Sequence, residues 1–164
     1  MIIGSFDIGE NNFAYAIGSL ETLHRFRLYD ILKRKKQTII ESCEQISQIL
    51  ETENWSECNL IIIEQQIRAN IRAQRLGQHI WTWFSIKFPR TKPCFVPSYM
   101  KTQFFLGKNN LTSSSRKKWA ILKTIEILSE RCDNVNLDYL NELKKQDDVS
   151  DSFLQLVAFL SRKC

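Results

Sequence analysis

The chain has 164 residues, 43% hydrophobic and 25% charged, which is the composition of a folded globular domain and excludes a disordered or fibrous chain. No stretch approaches the roughly 18 unbroken apolar residues of a membrane span, and the start Met1-Ile2-Ile3-Gly4 carries no signal-peptide pattern. Lys and Arg number 23 against 18 Asp and Glu, a net charge of +5 that attracts a polyanionic partner.

Residues 2–8 form a short apolar run ending in Asp7-Ile8-Gly9, as a buried strand does. Residues 12–19 predict a second strand. Residues 22–30 alternate, with His24, Phe26 and Leu28 opposite Arg25, Arg27 and Tyr29, the period of a half-buried third strand. Three strands in quick succession predict an antiparallel meander. A basic run, Lys33-Arg34-Lys35-Lys36, precedes a helix over about 37–53, with Ile39, Cys43, Ile46 and Leu50 on its core face. Leu60-Ile61-Ile62-Ile63 reads as a central strand ending at Glu64. A long helix follows over about 68–88, with Ala69, Ala73, Leu76, Ile80 and Trp83/Phe84 on one stripe. Cys94–Pro97 is a fifth strand, followed by a helical turn near 98–105 and the polar loop 107–110. Helices over 112–131 and 147–161 close the chain, separated by a polar, irregular stretch over 133–146 with one helical turn near Tyr139. Strands first, then alternating helix and strand, predict an α/β fold: a mixed sheet flanked by helices in one domain over 1–164.

The five cysteines are widely spaced with no C-x-x-C, which excludes a disulfide framework or structural zinc site and implies reduced thiols inside a cell. Only His24 and His79 are present, so histidine-based hydrolysis is a poor fit and carboxylates are the expected chemical groups. Four stand out. Asp7 ends the first strand, Glu64 the fourth, and Asp148 and Asp151 lie three apart at the start of the last helix, on one face. Each has a plainer explanation alone: a turn at Asp7, a Glu64–Arg68 ion pair, a helix-dipole role for Asp147, Asp148 and Asp151. Together they are acids brought from separate segments that repel unless a cation neutralises them, and magnesium prefers such hard oxygen donors. Arg68, Arg72, Arg75 and His79 recur at helical spacing just after Glu64, a candidate DNA-contact stripe whose plainer explanation is a solvated face.

Four pieces, Phe6-Asp7-Ile8-Gly9, Ile61-Ile62-Ile63-Glu64-Gln65-Gln66, Arg116-Lys117-Lys118 and Asp147-Asp148-Val149-Ser150-Asp151-Ser152, occur in this order in poxvirus-type Holliday junction resolvases, which are RuvC-like nucleases of the RNase H superfamily. The resemblance spans nearly the whole chain. It implies an RNase H-like α/β fold with a five-stranded mixed sheet and helices on both faces. It also implies a homodimer that resolves four-way and other branched DNA by paired nicks, using Mg2+ with Mn2+ as a substitute and no nucleotide cofactor. Carried over, Asp7, Glu64, Asp148 and Asp151 are the metal-binding catalytic acids. Lys118 is the active-site lysine, with Lys117 and Lys101 as alternatives, and Arg116 and Lys117 join the DNA contacts. Localisation would be intracellular, in host cytoplasm or a virion. The alternative is a related RuvC-like nuclease acting on other branched DNA or structured RNA. A sugar-kinase or actin-like ATPase also opens on Asp-x-Gly but needs two such lobes.

Overall fold

The computed structural model describes residues 1–9, 11–31, 37–108 and 111–162; the basic run 33–36, the loop residues 109–110 and Cys164 lie outside them. Five strands form one sheet: β1 (Ile3–Ile8), β2 (Asn12–Gly18), β3 (Leu23–Asp30), β4 (Leu60–Gln65) and β5 (Lys92–Pro97), in the spatial order β3-β2-β1-β4-β5. The first three are the antiparallel meander that the sequence predicts. β4 and β5 add in parallel on the other side of β1. Parallel neighbours need long crossovers, and α1 (Ile39–Glu51) and α2 (Ile71–Lys87) supply them. Four more helices follow: α3 (Met100–Leu106), α4 (Ser113–Glu130), α5 (Asn134–Glu142) and α6 (Asp147–Ser161). The mixed five-stranded sheet and the flanking helices agree with the expected fold class.

Side chains alternate across a strand, so each strand feeds two cores. Phe6 and Ile8 of β1, Phe13 and Tyr15 of β2 and Ile61 and Ile63 of β4 pack with α1 and α2. Ile3, Ala14, Ala16, Ile62 and Val96 lie on the opposite face, under α3 to α6. The same alternation assigns Asp7 and Glu64 to this second face. The parallel register sets Phe6 beside Ile63, which makes Asp7 and Glu64 neighbours at the ends of their strands. Ala14 and Ala16 leave room for α6, whose Val149, Phe153, Leu156 and Val157 fill the space. Buried Gln155 donates to Ser5 Oγ (3.1 Å) and to the Phe6 carbonyl (3.3 Å), fixing α6 against β1 one residue before Asp7. Asp151 stands one turn earlier on the same helix.

Two regions differ most from expectation. α2 starts at Ile71 rather than near 68, because the Asn70 side chain accepts from Ala73 N and caps it there. Ala69 and Arg68 therefore lie in the turn after β4 and not on the helix. The stretch 133–146, read as irregular, holds the nine-residue α5, capped by Asp133 and burying Leu140 with part of Leu137 and Tyr139.

Candidate active site

Four segments meet where β1 and β4 end. β1 brings Asp7, β4 brings Glu64, α6 brings Asp147, Asp148 and Asp151 in its first turns, and α3 brings Lys101. Lys101 is only 7% exposed. Its Nζ lies 2.6 Å from Glu64 Oε2 and 3.3 Å from Asp151 Oδ1, joining two of the acids through one ammonium. Asp148 Oδ2 accepts from Asn12 Nδ2 at 2.9 Å and faces Lys145 Nζ at 3.6 Å. Asp147 pairs with Lys117 from the first turns of α4. A cavity of about 310 Å³ opens beside these groups, lined among others by Glu64, Gln66, Tyr99, Lys101, Arg116 and Asp151.

The electrostatics are those of crowded acids. Burial raises the Asp7 carboxyl well above the usual carboxylate range; Glu64 adds to the rise, Lys101 opposes it, and Asp151 and Asp148 add further. Burial also raises Asp151, against the pull of Lys101 and with help from Glu64. For Lys101, burial works against the ammonium, but Glu64, Asp151 and Asp7 outweigh it and hold the amine above the ordinary lysine range. The donor chemistry is that of a hard divalent cation: carboxylate oxygens with no thiol or imidazole among them. Among the described residues, no three His, Cys, Asp or Glu side chains are drawn together at metal-holding spacing; Lys101 supplies the positive charge between Glu64 and Asp151.

The sequence profile of the family described as "Poxvirus A22 protein" matches residues 1–162. The chain belongs to this family. Among curated proteins it is similar to the uncharacterized protein 170L of Invertebrate iridescent virus 6, at 27% identity over 96% of this chain and 87% of the relative. It is also similar to protein 97L of Invertebrate iridescent virus 3, at 21% identity over 96% and 98%. Among solved structures, the fowlpox virus resolvase in complex with Holliday junction DNA superposes with a TM-score of 0.69, at 24% identity over 99% of each chain. Thermus thermophilus RuvC superposes with a TM-score of 0.66, at 15% identity over 99% of this chain and 96% of that one. These likenesses establish a RuvC-like, RNase H-like fold.

Of the residues singled out in the sequence, the structure brings Asp7, Glu64 and Asp151 into one charge network, with Asp148 beside them. Arg116 and Lys117 reach the same cavity. Lys118 does not. At 100° per residue it lies roughly 150° around α4 from the buried line of Ala120, Thr124 and Ile127, and it is exposed. The lysine among the carboxylates is Lys101. The arginine stripe also divides. Arg72 turns toward α1, donating to Ser42 Oγ (2.5 Å) and to the Gln37 carbonyl (3.3 Å). His79 follows it, bonding Ser47 Oγ at 2.8 Å. Arg68 and Arg75 stay exposed, and Arg68 lines a second cavity of about 310 Å³ that adjoins Glu64 from the α2 side. Asn12, Lys145 and Gln155, which hold the acids in place, were not read from the sequence; the turn Gly9–Asn12 directly after Asp7 was the available signal for Asn12.

Proposed function

We propose that this chain is a divalent-metal-dependent endonuclease that resolves four-way DNA junctions. The observation that carries the reading is the gathering of Asp7, Glu64 and Asp151 around Lys101 at one end of the sheet, with Asp148 near Asp7 and with Arg116 and Lys117 alongside. Family membership supports it, as do two superposable proteins, the fowlpox resolvase and Thermus thermophilus RuvC, both solved with Holliday junction DNA.

Asp7, Glu64, Asp148 and Asp151 would hold magnesium, with manganese as a substitute, and the bound ion would supply water activation and charge neutralisation at the phosphate. The chain's own groups do the rest. Lys101, kept protonated by its carboxylate neighbours, offers a fixed positive charge to a non-bridging phosphate oxygen. Arg116 and Lys117, at the mouth of the cavity, hold flanking phosphates. Gln155 keeps α6 in register with β1, so Asp151 cannot slide relative to Asp7. Paired nicks in a two-fold substrate require two such sites in a two-fold arrangement, so the working form is a homodimer.

The test is a synthetic immobile four-way junction incubated with and without magnesium, beside duplex, flap and structured-RNA substrates of matched length. The proposal expects symmetric nicks in two opposed strands of the junction, only with the ion. Preferential cleavage of flaps or RNA would move the chain to a different branch of RuvC-like nucleases.

A further inference from the structure

Two cavities meet at Tyr99. One is the carboxylate cavity already described. The other, about 500 Å³, is lined by Thr102, Gln103, Gly107, Lys108, Leu111 and Arg116 together with Tyr99. Tyr99, Thr102 and Arg116 belong to both. Among the described residues, the lining of the second cavity has no acid and carries the charges of Lys108 and Arg116, which suits a phosphate. Tyr99 is 61% exposed. Single exposed aromatic rings are common and decide nothing alone. This ring, however, lines both cavities. It precedes α3 without making a capping hydrogen bond, and among the described residues it has no aromatic neighbour.

The backbone beneath the ring is fixed. The Tyr99 carbonyl accepts from Gln103 N (2.9 Å) and Thr102 Oγ1 (3.0 Å), tying it to the turn that carries Lys101. A strand with one phosphate in the carboxylate cavity and the next in the basic one passes its intervening nucleotide by Tyr99, which lines both. Inside a duplex both faces of a base are covered by its neighbours. A base at a branch point loses one neighbour and has a face to offer.

We infer that Tyr99 is a stacking platform for the unpaired nucleobase next to the phosphate that the carboxylates cleave. This rests on the nuclease reading above. Its role is to select the position of cleavage: a base that can leave the stack settles on the ring, and its phosphate is then held at Lys101.

The experiment uses the full chain and four-way junctions carrying 2-aminopurine at each position flanking the scissile phosphate. Fluorescence is read without a divalent ion, so that binding is observed without cleavage, and nick positions are mapped with magnesium. Wild type and Tyr99→Phe should quench one flanking position alike. Tyr99→Ala and Tyr99→Leu should lose most of that quenching and cleave roughly tenfold more slowly, at more dispersed positions. Their junction affinity should stay within about threefold, because phosphate contacts remain. Tyr99→Leu keeps apolar bulk without a flat face, so a loss there is not a loss of packing. Full quenching in Tyr99→Ala, or a loss in Tyr99→Phe as large as in Tyr99→Ala, overturns the inference. If wild type quenches yet never cleaves, the nuclease reading fails and with it the role in selecting cleavage, and only base stacking on Tyr99 stands. If it cleaves with no quenching at any position, the stacking role fails and the nuclease reading stands.

Discussion

The two faces of the sheet are built from the same strands and put to opposite uses. Toward α1 and α2 the strands present Phe6, Phe13, Tyr15, Ile61 and Ile63, and the rings of Phe6, Trp55 and Phe84 pack at 5.2–5.5 Å between centroids. The polar tips there are satisfied: Trp55 Nε1 donates to the Leu50 carbonyl at 2.7 Å, and Tyr15 donates to Glu53. Toward α6 the same strands present Ala14, Ala16 and Ile62, then Asp7 and Glu64 at their ends, where like charges crowd against one another. Both faces bury an apolar core, but like-charge repulsion is stored on the α6 side, at the strand ends. The strand alternation that separates them lets a reactive cluster be held rigidly without weakening the aromatic core.

Substitutions on the two faces should therefore fail in different ways. The largest effect is expected at the acids. Asp7→Asn, Glu64→Gln and Asp151→Asn should each lose orders of magnitude in junction cleavage while junction affinity holds or improves, read by single-turnover rates beside a binding titration. Next comes the aromatic face. Phe84→Ala should lower folding stability by about 3–5 kcal/mol, measured by denaturant unfolding, because it opens a void that four rings, Phe6, Trp55, Trp83 and Phe88, surround. Wild-type-like unfolding of that variant would remove the contrast.

A third prediction uses pH. The Asp7 and Asp151 carboxyls are raised in the folded state, so the folded chain holds protons that the unfolded chain releases above about pH 4. Metal-free stability should fall as pH rises from there through the folded-state values. Asp7→Asn should flatten that fall and melt at the same or a higher temperature than wild type at neutral pH. Thermal melts across a pH series check this, and a metal-free variant clearly less stable than wild type would give Asp7 a structural role instead. The smallest effects separate the arginines. Arg75→Ala, at an exposed position, should reduce the dependence of log affinity on log salt by about one unit. Arg72→Ala should leave that slope alone and cost about 1 kcal/mol of stability, since its guanidinium bonds α1.

Much of this arrangement was legible in the sequence. The period-two run 22–30 and the isoleucines 61–63 identify strands because burial imposes those patterns, and two acids ending apolar strands mark one end of a sheet. Lys101 was only one of three candidates, because its approach to Glu64 is set by the path of the chain after β5 and by the seat of α3 on α6. Lys118 illustrates the converse. Motif order selected it, whereas the burial of Ala120, Thr124 and Ile127 turns it away from the acids. Arg72 and His79 misled for a similar reason: helical spacing gives a shared face but not the neighbour that face meets, which is α1. α5 was legible only as one turn near Tyr139, because few of its residues are buried.

The most direct test of the central claim measures binding and magnesium-dependent cleavage of one four-way junction in parallel, for wild type and Asp7→Asn. Wild type should cut opposed strands symmetrically only when magnesium is present, and Asp7→Asn should bind the same junction at least as tightly and leave it intact. Cleavage by Asp7→Asn at the wild-type rate, or cleavage by wild type without any divalent ion, would contradict the account.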